Sequence, residues 1–154
     1  MKTHEVEFSG SQGVTLTGLL DEPDNRTDRR AYAIFAHCFT CSKDFKIIRG
    51  IAEQLTAEGI ALLRFDFTGL GHSEGEFSET TFTTNTRDLA AAARFLNSNY
   101  EPPQLLIGHS LGGAAALVAT HEIDSIKAVA TIAAPAEPSH VKHLLRSVEF
   151  DKNE

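Results

Sequence analysis

The chain has 154 residues, with 14 Lys and Arg against 21 Asp and Glu and a formal charge of −7 with histidine neutral. A composition that is 42% apolar and 23% charged suits one globular domain with a real core, and excludes general disorder, a collagen-like repeat and a disulfide scaffold. An acidic balance without a basic block argues against nucleic acid as a partner, because that affinity rests on clustered Lys and Arg.

The start, M-K-T-H-E-V-E-F-S-G, has no apolar run between a basic head and a small-residue cleavage site, so no secretory signal is expected. The longest apolar stretch, Ala128 to Ala134 around one Thr, is far below the ~18 residues that span a bilayer. The expectation is a soluble cytoplasmic protein with no membrane partner. In such a compartment Cys38 and Cys41 stay thiols and do not staple the fold.

In chain order, His4 to Ser9 and Val14 to Asp21 alternate apolar with other residues and predict an antiparallel hairpin at a sheet edge. A polar turn around Pro23 to Arg30 follows. Compact apolar runs at Ala31 to Ala36, Ala61 to Phe65, Gln104 to Ile107 and Ile126 to Ala133 predict four core strands covered by helices on both faces. Between them, Ile48, Ile51, Ala52 and Leu55 fall at i, i+3, i+4, i+7, with Gly59 placed for a left-handed C-terminal cap. A second helix is predicted to begin near Thr84 or Asn85 and run through Leu89, Ala92, Ala93 and Leu96, ending before Pro102-Pro103. A third, rich in alanine, begins at Leu111, and a last amphipathic one carries Val141, Leu144, Leu145 and Val148. Strands alternating with helices imply β-α-β units and a mostly parallel sheet.

Gly108-His109-Ser110-Leu111-Gly112 matches G-x-S-x-G between an apolar strand and an alanine-rich helix. A strand that turns straight into a helix strains the residue at the bend and lifts its side chain above the sheet edge. The helix N-terminus then aims free N–H groups at any oxyanion beside Ser110. Gly71-His72-Ser73-Glu74-Gly75 matches the same pattern, but lies beyond its strand and is followed by polar residues, so Ser73 is read as structural or at the rim.

Three motifs now resemble the α/β-hydrolase family: G-H-S-L-G-G at Gly108 to Gly113, His37-Cys38-Phe39-Thr40, similar to an esterase H-G-F-T loop, and Arg64 to Gly75, similar to R-x-D-x-x-G-x-G-x-S-x-G. The resemblance spans nearly all 154 residues and implies an α/β-hydrolase fold: a mostly parallel sheet, an antiparallel amino-terminal hairpin and helices on both faces. It implies a serine hydrolase acting on a small carboxylic ester or related acyl compound, with Ser110 as nucleophile and the backbone N–H groups of Phe39 and Leu111 as the oxyanion hole. It also implies that Asp66 holds the following Gly-rich turn and that His37 makes a structural hydrogen bond. Cys38 departs from the glycine of many members. A-H-C-F-T-C-S-K-D-F and A-P-A-E-P-S-H-V-K-H-L-L look most like the hydrolase part of proteins that also carry an OsmC-like domain.

The family places its acid and then its histidine after later strands, whereas one strand is predicted after Ser110. The single domain, 1–154, is therefore expected to lack its last strands, with 139–150 resembling the start of a lid helix. Glu137, followed by His140 and His143, has the required order for an internal triad but no further support. His121 and Asp124 are placed at the opposite end of the sheet. His140 and His143 at i, i+3 suggest no third metal ligand, Gly69-Leu70-Gly71 lacks the dinucleotide spacing, and Cys38 to Cys41 lacks thioredoxin-like surroundings. No metal or organic cofactor is implied. A second reading is a non-catalytic docking module beside an OsmC-like thiol-peroxide domain, with a homodimer through the open sheet edge.

Overall fold

The computed structural model describes residues 1–25, 27, 29–38 and 41–137. Its element order is β1 (Lys2–Ser9), β2 (Thr15–Glu22), β3 (Ala31–Ala36), α1 (Lys46–Ala57), β4 (Ile60–Phe65), a 3₁₀ turn (Phe77–Glu79), α2 (Phe82–Asn99), β5 (Leu105–His109), α3 (Leu111–Ala119) and β6 (Ala128–Ile132). One six-stranded sheet has the order β1-β2-β4-β3-β5-β6. The β1–β2 and β2–β4 pairs are antiparallel, and β4, β3, β5 and β6 run parallel.

Side-chain alternation assigns the two faces. Tyr32, Ile34, Ala36, Leu63 and Phe65 share one core with Leu89, Ala92 and Leu96 of α2 and Ala115 and Ala119 of α3. Ala33, Phe35, Leu62 and Ile107 face the other way, onto Ile48 and Ala52 of α1. Helices thus cover both faces at the centre, where β3 lies between β4 and β5. Gly59 closes α1 with φ +81°. Helix α2 starts earlier than its apolar spacing predicts, because Thr81 accepts from the Thr84 amide and Thr84 reaches back to the Thr81 amide, forming a capping box.

One expected core strand is not a core strand. The run from Ile126 to Ala133 forms β6, but β6 is the sheet edge and most of its residues are exposed. Apolarity reflects the surface a strand is built to cover, and among the described residues no strand lies beyond β6. The amphipathic segment carrying Val141 to Val148 lies outside the described residues.

Candidate active site

The parallel strands β3, β4 and β5 all end at one edge of the sheet, and the candidate residues gather there. β5 ends at His109 and α3 begins at Leu111, leaving Ser110 as the whole connection. Its φ of 53° and ψ of −124° lie in a region that a residue with a Cβ occupies only under constraint. The constraint is visible. The Ser110 amide donates to the Ile132 carbonyl at 2.8 Å, while the Ser110 carbonyl accepts from the amides of Gly113 and Ala114. The backbone on both sides of the bend is therefore tied down, and the half-exposed side chain does not cap the helix. The N–H groups of Leu111 and Gly112 belong to the first helical turn, where helix geometry offers them no intrahelical acceptor.

Close packing around this turn depends on Gly112. A Cβ there would stand 2.3 Å from both the Ala36 and the His37 carbonyl oxygens. Backbone atoms cannot swing aside, so Gly112→Ala must push α3 away from β3. The expected outcome is a loss of about 1–3 kcal/mol in unfolding free energy, checked by thermal unfolding.

The loop after β3 lies against this first turn. His37 is buried, and its Nδ1 donates to the Cys38 carbonyl at 2.6 Å, the structural role expected of it. The adjacent sulfurs overturn an expectation. Cys38 and Cys41 are joined in a disulfide, with Cα atoms 5.2 Å apart. A compartment argument concerns the surroundings, whereas here the Cys41 amide donates to the Cys38 carbonyl and the turn brings the sulfurs together. One ring nitrogen of His109 lies within 4.8 Å of both sulfurs. Phe39 falls outside the described residues.

Beneath the loop lies a buried charge network centred on Asp66, which is fully buried. Its Oδ1 accepts from the Lys43 amide at 2.7 Å, and its Oδ2 accepts from the Lys43 ammonium at 2.9 Å and the His72 amide at 3.1 Å. His37 Nε2 stands 3.5 Å from Oδ1, an electrostatic contact too long for a full hydrogen bond. Burial by itself raises the Asp66 carboxyl, but His37, the Lys43 amide and ammonium, and the His72 amide outweigh it and hold the group well below the usual carboxylate range. Lys43 also donates to His72 Nδ1 at 2.9 Å. Arg64 pairs with Asp21 at 2.7 Å and donates to the Lys43 carbonyl. Asp66 thus clamps the two loops that follow β3 and β4, in keeping with its resemblance to a turn-holding carboxylate.

The second G-x-S-x-G match is structural. Ser73 Oγ donates to the Asp66 carbonyl at 2.6 Å and accepts from the Thr17 amide at 2.9 Å. Glu74 accepts from the Thr15 amide, which lowers its carboxyl below the usual range. Sequence patterns did not reveal Lys43, or Asp88 of α2, which is buried and accepts four hydrogen bonds from Ser11 and Thr68. Their partners lie 20 or more residues away along the chain, beyond any local spacing rule.

Among the remaining expected site residues, Glu137 is exposed and follows β6 on the same sheet edge as Ser110. His140 and His143 lie outside the described residues. His121 and Asp124 sit in the α3–β6 connection, on the opposite edge. No helix among the described residues is long and apolar enough to cross a membrane.

A mixed sheet of this order, with a strained serine between a parallel strand and its helix, defines the α/β-hydrolase fold. The chain belongs to the α/β-hydrolase family described as serine aminopeptidase, S33, whose model matches residues 29–149. It is similar to the esterase domain of a Rhodothermus marinus protein, with 51% identity and a TM-score of 0.75 over 93% of this chain and 57% of that one. It is also similar to Est1E of Butyrivibrio proteoclasticus, solved with ferulic acid bound, at 28% identity and a TM-score of 0.73 over 80% of this chain and 51% of that one. Among curated proteins, the mitochondrial palmitoyl-protein thioesterase ABHD10 of Mus musculus is 40% identical over 55 residues, 36% of this chain and 18% of the relative. The chain thus spans little more than half the length of these solved structures, and its match covers less than a fifth of that curated relative.

Proposed function

We propose that this chain carries the nucleophile of a serine hydrolase acting on a small carboxylic ester or related acyl compound. The observation that carries the reading is the backbone of Ser110, held at φ 53° between β5 and α3. Ser110 Oγ attacks the acyl carbon and gives its proton to a general base, while the N–H groups of Leu111 and Phe39 donate to the oxyanion. The tetrahedral species then expels the alcohol or thiol, which takes up that proton, and water releases the acid from the acyl-serine. Similarity to esterases and to a thioesterase supports an acyl substrate of either leaving-group class.

The base and its orienting acid are proposed to come from sequence beyond Glu154 or from another domain. Glu137 with His140 or His143 is the narrower version. The test is hydrolysis of p-nitrophenyl acetate and of a short acyl thioester by the complete protein, by Ser110→Ala and by His140→Gln/His143→Gln. Turnover that survives Ser110→Ala contradicts the function. Turnover that survives the double histidine variant assigns the base elsewhere.

A non-catalytic docking module, beside an OsmC-like domain, is the second reading, and the exposed edge favours it. Ile132 is 44% exposed on β6, with Leu117 at 50% and Val118 at 45% on the neighbouring α3. An unpaired strand edge beside apolar surface attracts another strand. The 154-residue chain alone is therefore expected to sediment as a homodimer at micromolar concentration. A monomer across that range contradicts the open-edge pairing.

A further inference from the structure

We propose that Cys38 and Cys41 form a redox-active pair, a site of thiol–disulfide exchange with a dithiol reductant, in which His109 steadies the thiolate that leaves. The carrying juxtaposition is that of three groups: two bonded sulfurs and a ring nitrogen from a different strand, all within 4.8 Å.

A structural staple explains the pair poorly. A disulfide stabilises by restricting the unfolded chain, and the restriction grows with the loop it closes. Here the sequence separation is 3, near the minimum. The loop is also held without it, by the Cys41 amide on the Cys38 carbonyl, by His37 on that same carbonyl and by Lys43 on Asp66. A bond that adds so little to folding is well suited to being made and broken.

The surroundings favour thiolate chemistry. His109 ends β5, two residues before α3, and Gly112 of the first turn of α3 packs on the Ala36 and His37 carbonyls just ahead of Cys38. A histidine and a helix N-terminus each stabilise a nearby thiolate. The other charged or titratable groups at this loop are His37, Asp66, Lys43, Arg64 on the Lys43 carbonyl and, through the Lys43 ammonium, Asp44 and His72. Cys41 is the more exposed residue of the two, and Cys38 is 8% exposed.

Exposure orders the steps. A reductant thiolate attacks Cys41 Sγ, the Cys38–Cys41 bond breaks, and Cys38 departs as a thiolate beside His109, to be protonated later from solvent. The second thiol of the reductant then attacks the mixed disulfide and releases Cys41 as a thiol. Two electrons pass from the reductant, which becomes a disulfide, to the pair, which becomes two thiols.

If the hydrolase reading holds, the exchange also regulates it, because the ring closed by Cys38 and Cys41 contains Phe39, the proposed oxyanion donor. This consequence rests on that reading, whereas the exchange site does not. Losing one oxyanion donor costs about 10²–10³ in turnover, and loosening it by reduction is expected to cost about tenfold.

The experiment equilibrates the protein in mixtures of reduced and oxidised dithiothreitol, quenches with a maleimide and reads the two-thiol fraction by intact mass. The expected result is one reversible two-electron transition. After reduction, iodoacetamide is expected to alkylate the pair across a lower pH range in the wild type than in His109→Gln, whose fold is checked by circular dichroism. A pair that native-state dithiothreitol cannot open, or an alkylation profile unmoved by His109→Gln, overturns the proposal. Ester turnover of the two forms, with Cys38→Ser/Cys41→Ser as the permanently open reference, reports the regulation separately. Exchange without any esterase activity supports the site while removing the hydrolase reading.

Discussion

Ser110→Ala is expected to lower kcat for ester hydrolysis by about 10⁴–10⁶, leaving KM within a few-fold of the wild type. The magnitude follows from what the hydroxyl does. In the proposed mechanism it is the attacking atom, so its loss removes the covalent route entirely, while the N–H groups at the start of α3 survive. Those groups alone sustain a residual catalysis of about 10³–10⁴ over water in enzymes of this design. The alanine keeps the backbone bonds from Ser110 to Ile132, Gly113 and Ala114, so the fold is expected to hold. Ser73→Ala supplies the contrast. Ser73 occupies the same motif but bonds the Asp66 carbonyl and the Thr17 amide, so its loss is expected to cost about 1 kcal/mol of stability with turnover nearly unchanged. Steady-state kinetics and denaturant unfolding on the two variants separate the roles.

Asp66→Asn is expected to lower the unfolding free energy by about 3–5 kcal/mol, because the change leaves the buried Lys43 ammonium with only a 3.5 Å contact to the exposed Asp44 carboxylate. Lys43 is 4% exposed and Asp66 is fully buried, so water cannot substitute. Removing the second charge as well, in Asp66→Asn/Lys43→Met, is expected to recover most of that loss, since the cost lies in the unpaired charge more than in the absent pair. The pH dependence has a definite sign. The folded carboxyl is held below its unfolded value, which is about 3.9. Its stabilisation is therefore complete above the unfolded value and is lost as pH falls through the lower folded one. The difference between wild type and Asp66→Asn should accordingly shrink below about pH 4 and stay constant from pH 5 to 8. A gap that widens in acid contradicts the assignment.

Particular residues show how far the chain could be read in advance. Ala31 to Ala36 is both the predicted and the observed β3, because six apolar residues flanked by polar ones leave little choice. The turn at Ser110 was legible because its neighbours on both sides specify a strand and a helix. β6 was misjudged. Its apolar residues specify a buried strand, but burial needs a neighbour, and strand order is a property of the whole sheet. Five of the seven residues from Thr80 to Thr86 are threonine, and pattern alone does not say which one caps α2. No local spacing marks Asp88 as buried. It is buried because the turn holding Ser11 and the loop holding Thr68 close over it, and both come from distant parts of the chain. Cys38 and Cys41 were read from their setting, whereas turn geometry determines whether two sulfurs meet.

The reading as a whole depends on Ser110 being an activated nucleophile. The most direct measurement is to treat the complete protein with a fluorophosphonate, record the intact mass and map the modified peptide. One adduct per chain, located on Ser110 and absent from Ser110→Ala, is the predicted result. A protein that stays unmodified, or an adduct that persists in Ser110→Ala, contradicts it.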